Sequence, residues 1–149
     1  MAPSTDEPPR TNEERITRAF LQGLHLFNAG AWFEAHETWE EAWNLAEGRD
    51  KRFFQGLIQC AVALEHLNRG NARGAINVYT SAVTKFRNLP PVFRGIDHPA
   101  LLAALNSLLE PLGPAATLPG RGSSSGQSKI ATPLITPAQA PKLPLPPDS

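Results

Sequence analysis

The chain overlays itself when shifted by forty residues, and that self-similarity narrows the folds open to it. Asn28-x-Gly30 falls on Asn68-x-Gly70, Ala35 on Ala75, Trp39 on Tyr79, Ala42 on Ala82 and Gly23 on Ala63. Each copy holds a small residue on a first helix, a glycine turn, and a small–aromatic–small ladder on a second helix. Small residues let two helices approach closely, and the aromatic fills the groove beside them. The pattern resembles helical hairpins of the tetratricopeptide type, whose period is usually nearer about thirty-four residues. Two such hairpins side by side make a four-helix core, and a short fifth helix can cover its open end. The predicted fold class is therefore all-α: a bundle of two tetratricopeptide-like hairpins plus a short C-terminal helix.

Local signals place the helices. Thr11 and Glu14 have the form of a capping box, followed by Ile16, Phe20, Gly23, Leu24 and Phe27 at helical spacing up to the stop at Gly30. A second helix carries Trp32, Ala35, Trp39, Ala42 and Trp43 and is expected to end near Gly48. The third, from Asp50 to about Arg69, is apolar around most of its circumference (Phe53, Phe54, Leu57, Ile58, Ala61, Val62, Leu64, Leu67), the mark of a central helix. Gly70 stops it, Asn71 caps a fourth helix running to Leu89, and Pro99 opens a fifth over Ala100 to Glu110.

Residues 1–10 and 111–149 read differently from the domain at 11–110. Nine of the fifteen prolines lie from Pro111 onward, and Gly120 to Gly126 is rich in Gly and Ser. Such a composition buries too little apolar surface to offset its ordering entropy, so both ends are expected to be disordered. Leu143-Pro144-Leu145-Pro146-Pro147 favours polyproline II, which fits either a docking peptide or an unstructured extension without a partner.

Composition excludes several classes. A formal net charge of zero argues against bulk electrostatic binding to nucleic acid or an anionic membrane. The single Cys60 excludes an internal disulfide and a cysteine-based metal framework. There is no run of 18 apolar residues and no apolar core in the first ten, so neither a membrane span nor a secretory leader is expected, and a reduced, cytoplasmic setting follows.

The third helix carries the best functional clue. Arg52, Gln55, Gln59 and His66 lie on one narrow side, shared with Val62. On a central helix these groups need partners, because an unpaired buried amide or imidazole costs about 1–3 kcal/mol. His36 and Glu40, four residues apart on the second helix, are placed to supply them, and Glu37 is a further carboxylate nearby although it falls opposite the tryptophan face. One reading is a polar pocket whose hydrogen bonds set helix register. The other is chemistry: a divalent metal held by His36, Glu40 and His66, or a His–Glu pair moving a proton. Glu34-x-His36-Glu37-x-x-Glu40 matches only the first half of a zinc-protease helix, since Glu40 stands where the second histidine belongs. His25 and His98 are expected to be surface or capping residues, and Cys60 a small core residue.

Charge is divided along the chain. Ala19 to Gly48 holds five glutamates and no Lys or Arg, whereas Arg49 to Arg94 holds eight basic residues against Asp50 and Glu65. Mutual attraction of the hairpins accounts for this, and a basic patch of Arg69, Arg73, Lys85, Arg87 and Arg94 for an anionic partner is the alternative. No aromatic nucleic-acid signature accompanies those residues.

Several of these motifs occur together in one family. Phe27-Asn28-x-Gly30, Phe33-Glu34-Ala35-His36-Glu37-x-x-Glu40-x-x-Trp43, Gln55-Gly56-Leu57-Ile58-Gln59, His66 and Gly70-Asn71-x-x-Gly74-Ala75 resemble, in that order, the bacterial and plastid family of domain of unknown function number 309. The resemblance covers roughly residues 20–85. It implies a compact helical bundle with the Glu–His–Glu and Gln-Gly-Leu-Ile-Gln segments as signatures, and it implies no established activity.

The expectation that follows is a non-catalytic binding domain for a protein or peptide, with no cofactor and a groove near Trp32 or Trp43. Its rival is a metal-dependent or acid–base, hydrolase-like enzyme built on His36, Glu40 and His66.

Overall fold

The computed structural model describes residues 11–113 and 133–146. Among the described residues it is an all-α bundle of five α-helices: α1 (Asn12–Asn28), α2 (Trp32–Leu45), α3 (Gly48–Asn68), α4 (Ala72–Lys85) and α5 (His98–Leu109). A small antiparallel pair, β1 (Val92–Phe93) and β2 (Ile96–Asp97), precedes α5. Among the described residues no helix is long and apolar enough to cross a membrane.

The expected start signals act as read. Thr11 and Glu14 close a reciprocal capping box at α1, Asn71 accepts from the Gly74 amide at α4, and Pro99 sits in the first turn of α5 behind an Asp97 cap. The ends differ by a few residues. α2 stops at Leu45, and the chain then turns at Gly48 with φ +61°. α4 stops at Lys85 rather than Leu89, because Asn88 takes a left-handed conformation (φ 68°) that no helix continues through. The β1–β2 hairpin was not anticipated. Its loop residues Arg94 and Gly95 both have positive φ (51° and 81°), the twist that a tight hairpin requires.

The forty-residue repeat recurs atom for atom at the turns. The Ala29 amide donates to the His25 and Leu26 carbonyls, Gly30 to Phe27, Ala31 to Leu26, and Ala35 to Ala31. Forty residues later Arg69 donates to Glu65 and His66, Gly70 to Leu67, Asn71 to His66, and Ala75 to Asn71. Gly30 and Gly70 share a left-handed φ (83° and 77°), which a side chain would strain. Ala35, Ala42, Ala75 and Ala82 are all fully buried, so each hairpin closes on small residues.

α3 lies between α2 and α4 and buries ten residues, from Phe53 to Leu67. Its first turns enter an aromatic cluster in which Phe53 meets Phe20, Phe54, Phe86 and Phe93 at centroid distances of 5.0–6.1 Å. Phe20 brings α1 into the same cluster. A side chain such as Phe53, fully buried, is worth about 1.5–3 kcal/mol of transfer free energy.

The expectation of an unpacked chain from residue 111 is corrected at residues 133–146, which lie on the bundle with Ile135, Ala140 and Leu143 buried. The expectations for residues 1–10, and for 114–132 and 147–149 of the tail, fall outside the described residues.

The two repeats diverge at their aromatic rung. Trp39 is fully buried and its indole N–H donates to the Phe20 carbonyl of α1 at 3.1 Å. A Cβ on Gly23 would collide with that indole ring. In the second copy the smaller Tyr79 turns toward α5, its hydroxyl donating to the Leu102 carbonyl, and Ala63 is tolerated opposite. Gly23→Ala is therefore expected to lower stability by about 1–3 kcal/mol through overpacking, although at an open helical site the same change adds up to about 1 kcal/mol. Urea unfolding measures it, and an unchanged or raised midpoint would contradict the close seat of Trp39.

Candidate functional site

The turn joining α3 to α4 is built around one hydrogen-bonded relay. The Asn71 side-chain Oδ1 accepts the Gly74 amide at 2.9 Å, which turns the Asn71 NH2 toward His66. That NH2 lies 3.0 Å from His66 Nδ1, so the imidazole accepts there and carries its proton on Nε2. A Cβ on Gly74 would run into the Asn71 amide and come within 2.8 Å of His66 Nδ1, which is why the motif needs glycine at that place. His66 is held below the usual imidazole range by burial first and then by the Arg69 guanidinium, with Glu65 opposing them.

His66 forms one wall of a cleft between α2 and α3. Trp32, Phe33 and His36 line it from α2; Val62, Glu65 and His66 line it from α3, with Arg69 at its C-terminal cap, and its volume is about 190 Å³. Phe33 is 43% exposed at the rim and meets the His36 ring edge-on at 5.5 Å. The polar groups are already engaged: His36 Nε2 with Glu40 at 3.3 Å, Arg69 Nε with Glu65 at 2.7 Å, and His66 with Asn71. Trp32 Nε1 is buried with no hydrogen-bond partner among the described groups.

Of the seven residues singled out for the polar pocket, His36 and His66 line this one cleft. Glu40 reaches it only through His36, with its own side chain 53% exposed. Glu37 is exposed. Arg52 is exposed as well and donates instead to the Thr84 carbonyl near the end of α4, where a helix leaves carbonyls unpaired. Gln55 and Gln59 are half-buried outside the cleft, and Gln59 Oε1 has no donor among the described groups. Among the described residues no three His, Cys, Asp or Glu side chains are grouped as a metal ion requires. His36, Glu40 and His66 therefore do not form a ligand set.

Other expectations divide. Cys60 is fully buried, and burial pushes its thiol far up, so it is unreactive core. His25 is exposed as expected. His98 is not a surface residue: it is buried, stacked on Phe86 at 4.8 Å, and its Nε2 donates to the Pro90 carbonyl at 2.7 Å. The neighbouring Pro99 suggested a cap, whereas the β1–β2 hairpin folds the imidazole inward. Neither tryptophan offered for a groove is exposed: Trp32 is buried, and the half-buried Trp43 lies under the Lys51 ammonium, 4.0 Å from its ring centroid. Of the proposed basic patch, Arg69 pairs with Glu65, Arg94 with Asp50 and Glu13, and Lys85 with Ser81. The sequence reading passes over Phe33 and Glu65, which fall on helix flanks that a core-directed reading treats as solvent, and it takes Arg69, the α3 C-cap, only as part of a basic patch. A second, polar hollow between Arg15, Arg18, Gln22 and Glu41 was also unforeseen.

The fold and the cleft define a small all-α domain with a side-chain-lined cleft between its central helix pair. Residues 20–78 match the family described as Domain of unknown function (DUF309), and the resemblance carried by the motifs holds over those residues. That span contains both glycine turns and every cleft residue. The chain is similar to an uncharacterized protein of Aquifex aeolicus (strain VF5), 35% identical over 96 residues that make up 64% of this chain and 29% of that protein. It is similar also to the uncharacterized protein YpuF of Bacillus subtilis (strain 168), 35% identical over 100 residues, 62% of this chain and 56% of that protein. The chain thus spans less than two thirds of either relative's length.

The lowered titration of His66 has a signed consequence. An unfolded chain protonates this imidazole near pH 6.5, while the folded one resists until a lower pH. The stability it contributes is full above about pH 6.5 and falls as pH drops from there toward the folded value. Arg69→Gln removes a lowering charge and frees Glu65, which raises the imidazole. Titration of the His66 ring by NMR is expected to give a midpoint below 6.5 that moves up in Arg69→Gln. A midpoint at or above 6.5, or a downward move, would contradict the cleft electrostatics.

Proposed function

We propose that the chain is a non-catalytic binding module and that the α2–α3 cleft receives an apolar group of its ligand. The observation that carries this reading is the division of labour in the cleft. Trp32, Phe33 and Val62 offer an apolar wall, and each titratable group beside them is already bonded to a neighbour. A general base needs an unengaged lone pair facing a substrate. His66 spends its Nδ1 lone pair on Asn71, and His36 on the cleft wall turns its Nε2 to the exposed Glu40 of its own helix.

Size and chemistry narrow the ligand. Apolar cavities of about 150 Å³ accept benzene, so a cleft of about 190 Å³ suits one aromatic or branched aliphatic group. The exposed Phe33 edge extends that surface outward, as a peptide side chain entering from solvent would need. An acceptor on the ligand that reached the unmet Trp32 indole N–H would recover about 1–3 kcal/mol of hydrogen bonding.

Two-dimensional NMR of the full chain, titrated with indole and with phenol as probes, tests this. Saturable shifts are expected at the Val62 methyls and the Trp32 indole N–H, and Val62→Phe, which fills the cleft, is expected to weaken them at least tenfold. Shifts elsewhere only, or binding indifferent to Val62→Phe, would contradict the assignment.

A further inference from the structure

Residues 133–146 lie across the end of the bundle where both glycine turns sit, and their contacts there address peptide backbone. Asn28, at the last position of α1, takes both polar groups of Leu143: its side-chain oxygen accepts the Leu143 N–H at 2.7 Å and its NH2 donates to the Leu143 carbonyl at 2.8 Å. One amide thereby reproduces the paired bonds a neighbouring strand would make. At the other turn the Leu134 N–H donates at 2.8 Å to the Leu67 carbonyl, which already accepts from Gly70. Ile135, Ala140 and Leu143 are buried to 3%, 7% and 6% exposure, so three apolar side chains of the segment are seated on the bundle. Pro137 lies where the Gly30 Cα has no side chain, 3.4 Å from the position of a Cβ.

The segment is also shaped in advance. Thr136 and Gln139 close a capping box around a single turn begun by Pro137, and Lys142 Nζ donates to the Pro137 carbonyl. Prolines at 137, 141, 144 and 146 fix φ and reduce the entropy lost on docking. Asn28, Gly30 and Leu67 fall within the family match at 20–78, whereas the segment seated on them lies wholly outside it.

We propose that this end of the bundle is a peptide-recognition groove, occupied in cis by residues 133–146. Its ligand in trans is a partner protein's segment of the same chemistry, Ile-Thr-Pro-x-Gln-Ala-x-x-Leu-Pro, with two extended arms about a proline-initiated turn. The tail is then a tethered competitor. At an effective concentration on the order of millimolar, a tail of micromolar intrinsic affinity weakens a rival of equal affinity about a thousandfold. The groove shares no residue with the α2–α3 cleft, so the two assignments stand or fall separately.

A fluorescein-labelled synthetic peptide of residues 133–146, titrated by anisotropy against the full-length chain, tests the proposal. The tail variant Ile135→Asp/Leu143→Asp empties the groove and is expected to bind the peptide at least tenfold more tightly than the wild type. Adding Asn28→Ala to that variant is expected to cost at least tenfold, with helicity by circular dichroism unchanged in each. Hydrogen exchange in the wild-type chain gives an independent readout, with the Leu143 amide expected to be protected. Equal binding to wild type and tail variant, binding to neither, indifference to Asn28→Ala, or an unprotected Leu143 amide would overturn it. A wild-type dimer that exchanges tails would also overturn it, making a second copy the occupant.

Discussion

Burial of α3 on several sides at once is the constraint from which the rest of the structure follows. A helix that packs α2 on one flank, α4 on another and Phe20 of α1 near its start has little circumference left for water. The neighbours must then come close, which small residues allow: Ala61 and Ala63 on α3, Ala42 on α2, and Ala75 and Ala82 on α4 are all fully buried. Gly56 applies the same rule at the Phe86 ring, where a Cβ would have no room. Toward its C-terminal end α3 leaves Val62, Glu65 and His66 half-buried, and these three form its wall of the cleft.

The repeat gives one backbone turn two uses. Both turns have the same amide pattern and the same left-handed glycine. At the second, Asn71 is spent on Gly74 and His66, and the turn stiffens the edge of the cleft. At the first, Ala31 stands where Asn71 stands in the second copy and offers no cap, while Asn28 is left to engage Leu143. Identical geometry with different side chains yields a cleft wall at one turn and a backbone-reading amide at the other.

How much of this was legible in the sequence depends on how local the signal is. Caps, glycine stops and the 3.6-residue apolar period act within one or two turns, so α1 to α5 and the centrality of α3 were readable. The β1–β2 hairpin was not, because Arg94 in a left-handed conformation is held from afar by Asp50, Glu13 and the Phe54 ring. The same limit applied to the site. Arg52, Gln55, Gln59 and His66 share one side of α3, yet both ends of that stripe find their hydrogen-bond partners at α4, Arg52 at the Thr84 carbonyl and His66 at the Asn71 cap, where the sequence pointed to α2. Pairing between specific side chains is a property of the packed assembly, and a stripe on one helix carries half of it. Composition misjudged the tail for a related reason: Ile135, Ala140 and Leu143 are too few to fold alone, but enough to dock on a preformed end.

Amide hydrogen exchange of the full-length chain, resolved by residue, tests the centrality of α3 most directly. Amides from Phe54 to Leu67 are expected to exchange slowest and to open only with global unfolding. If they exchanged as fast as those of α5, the helix would not be the element on which the others are built.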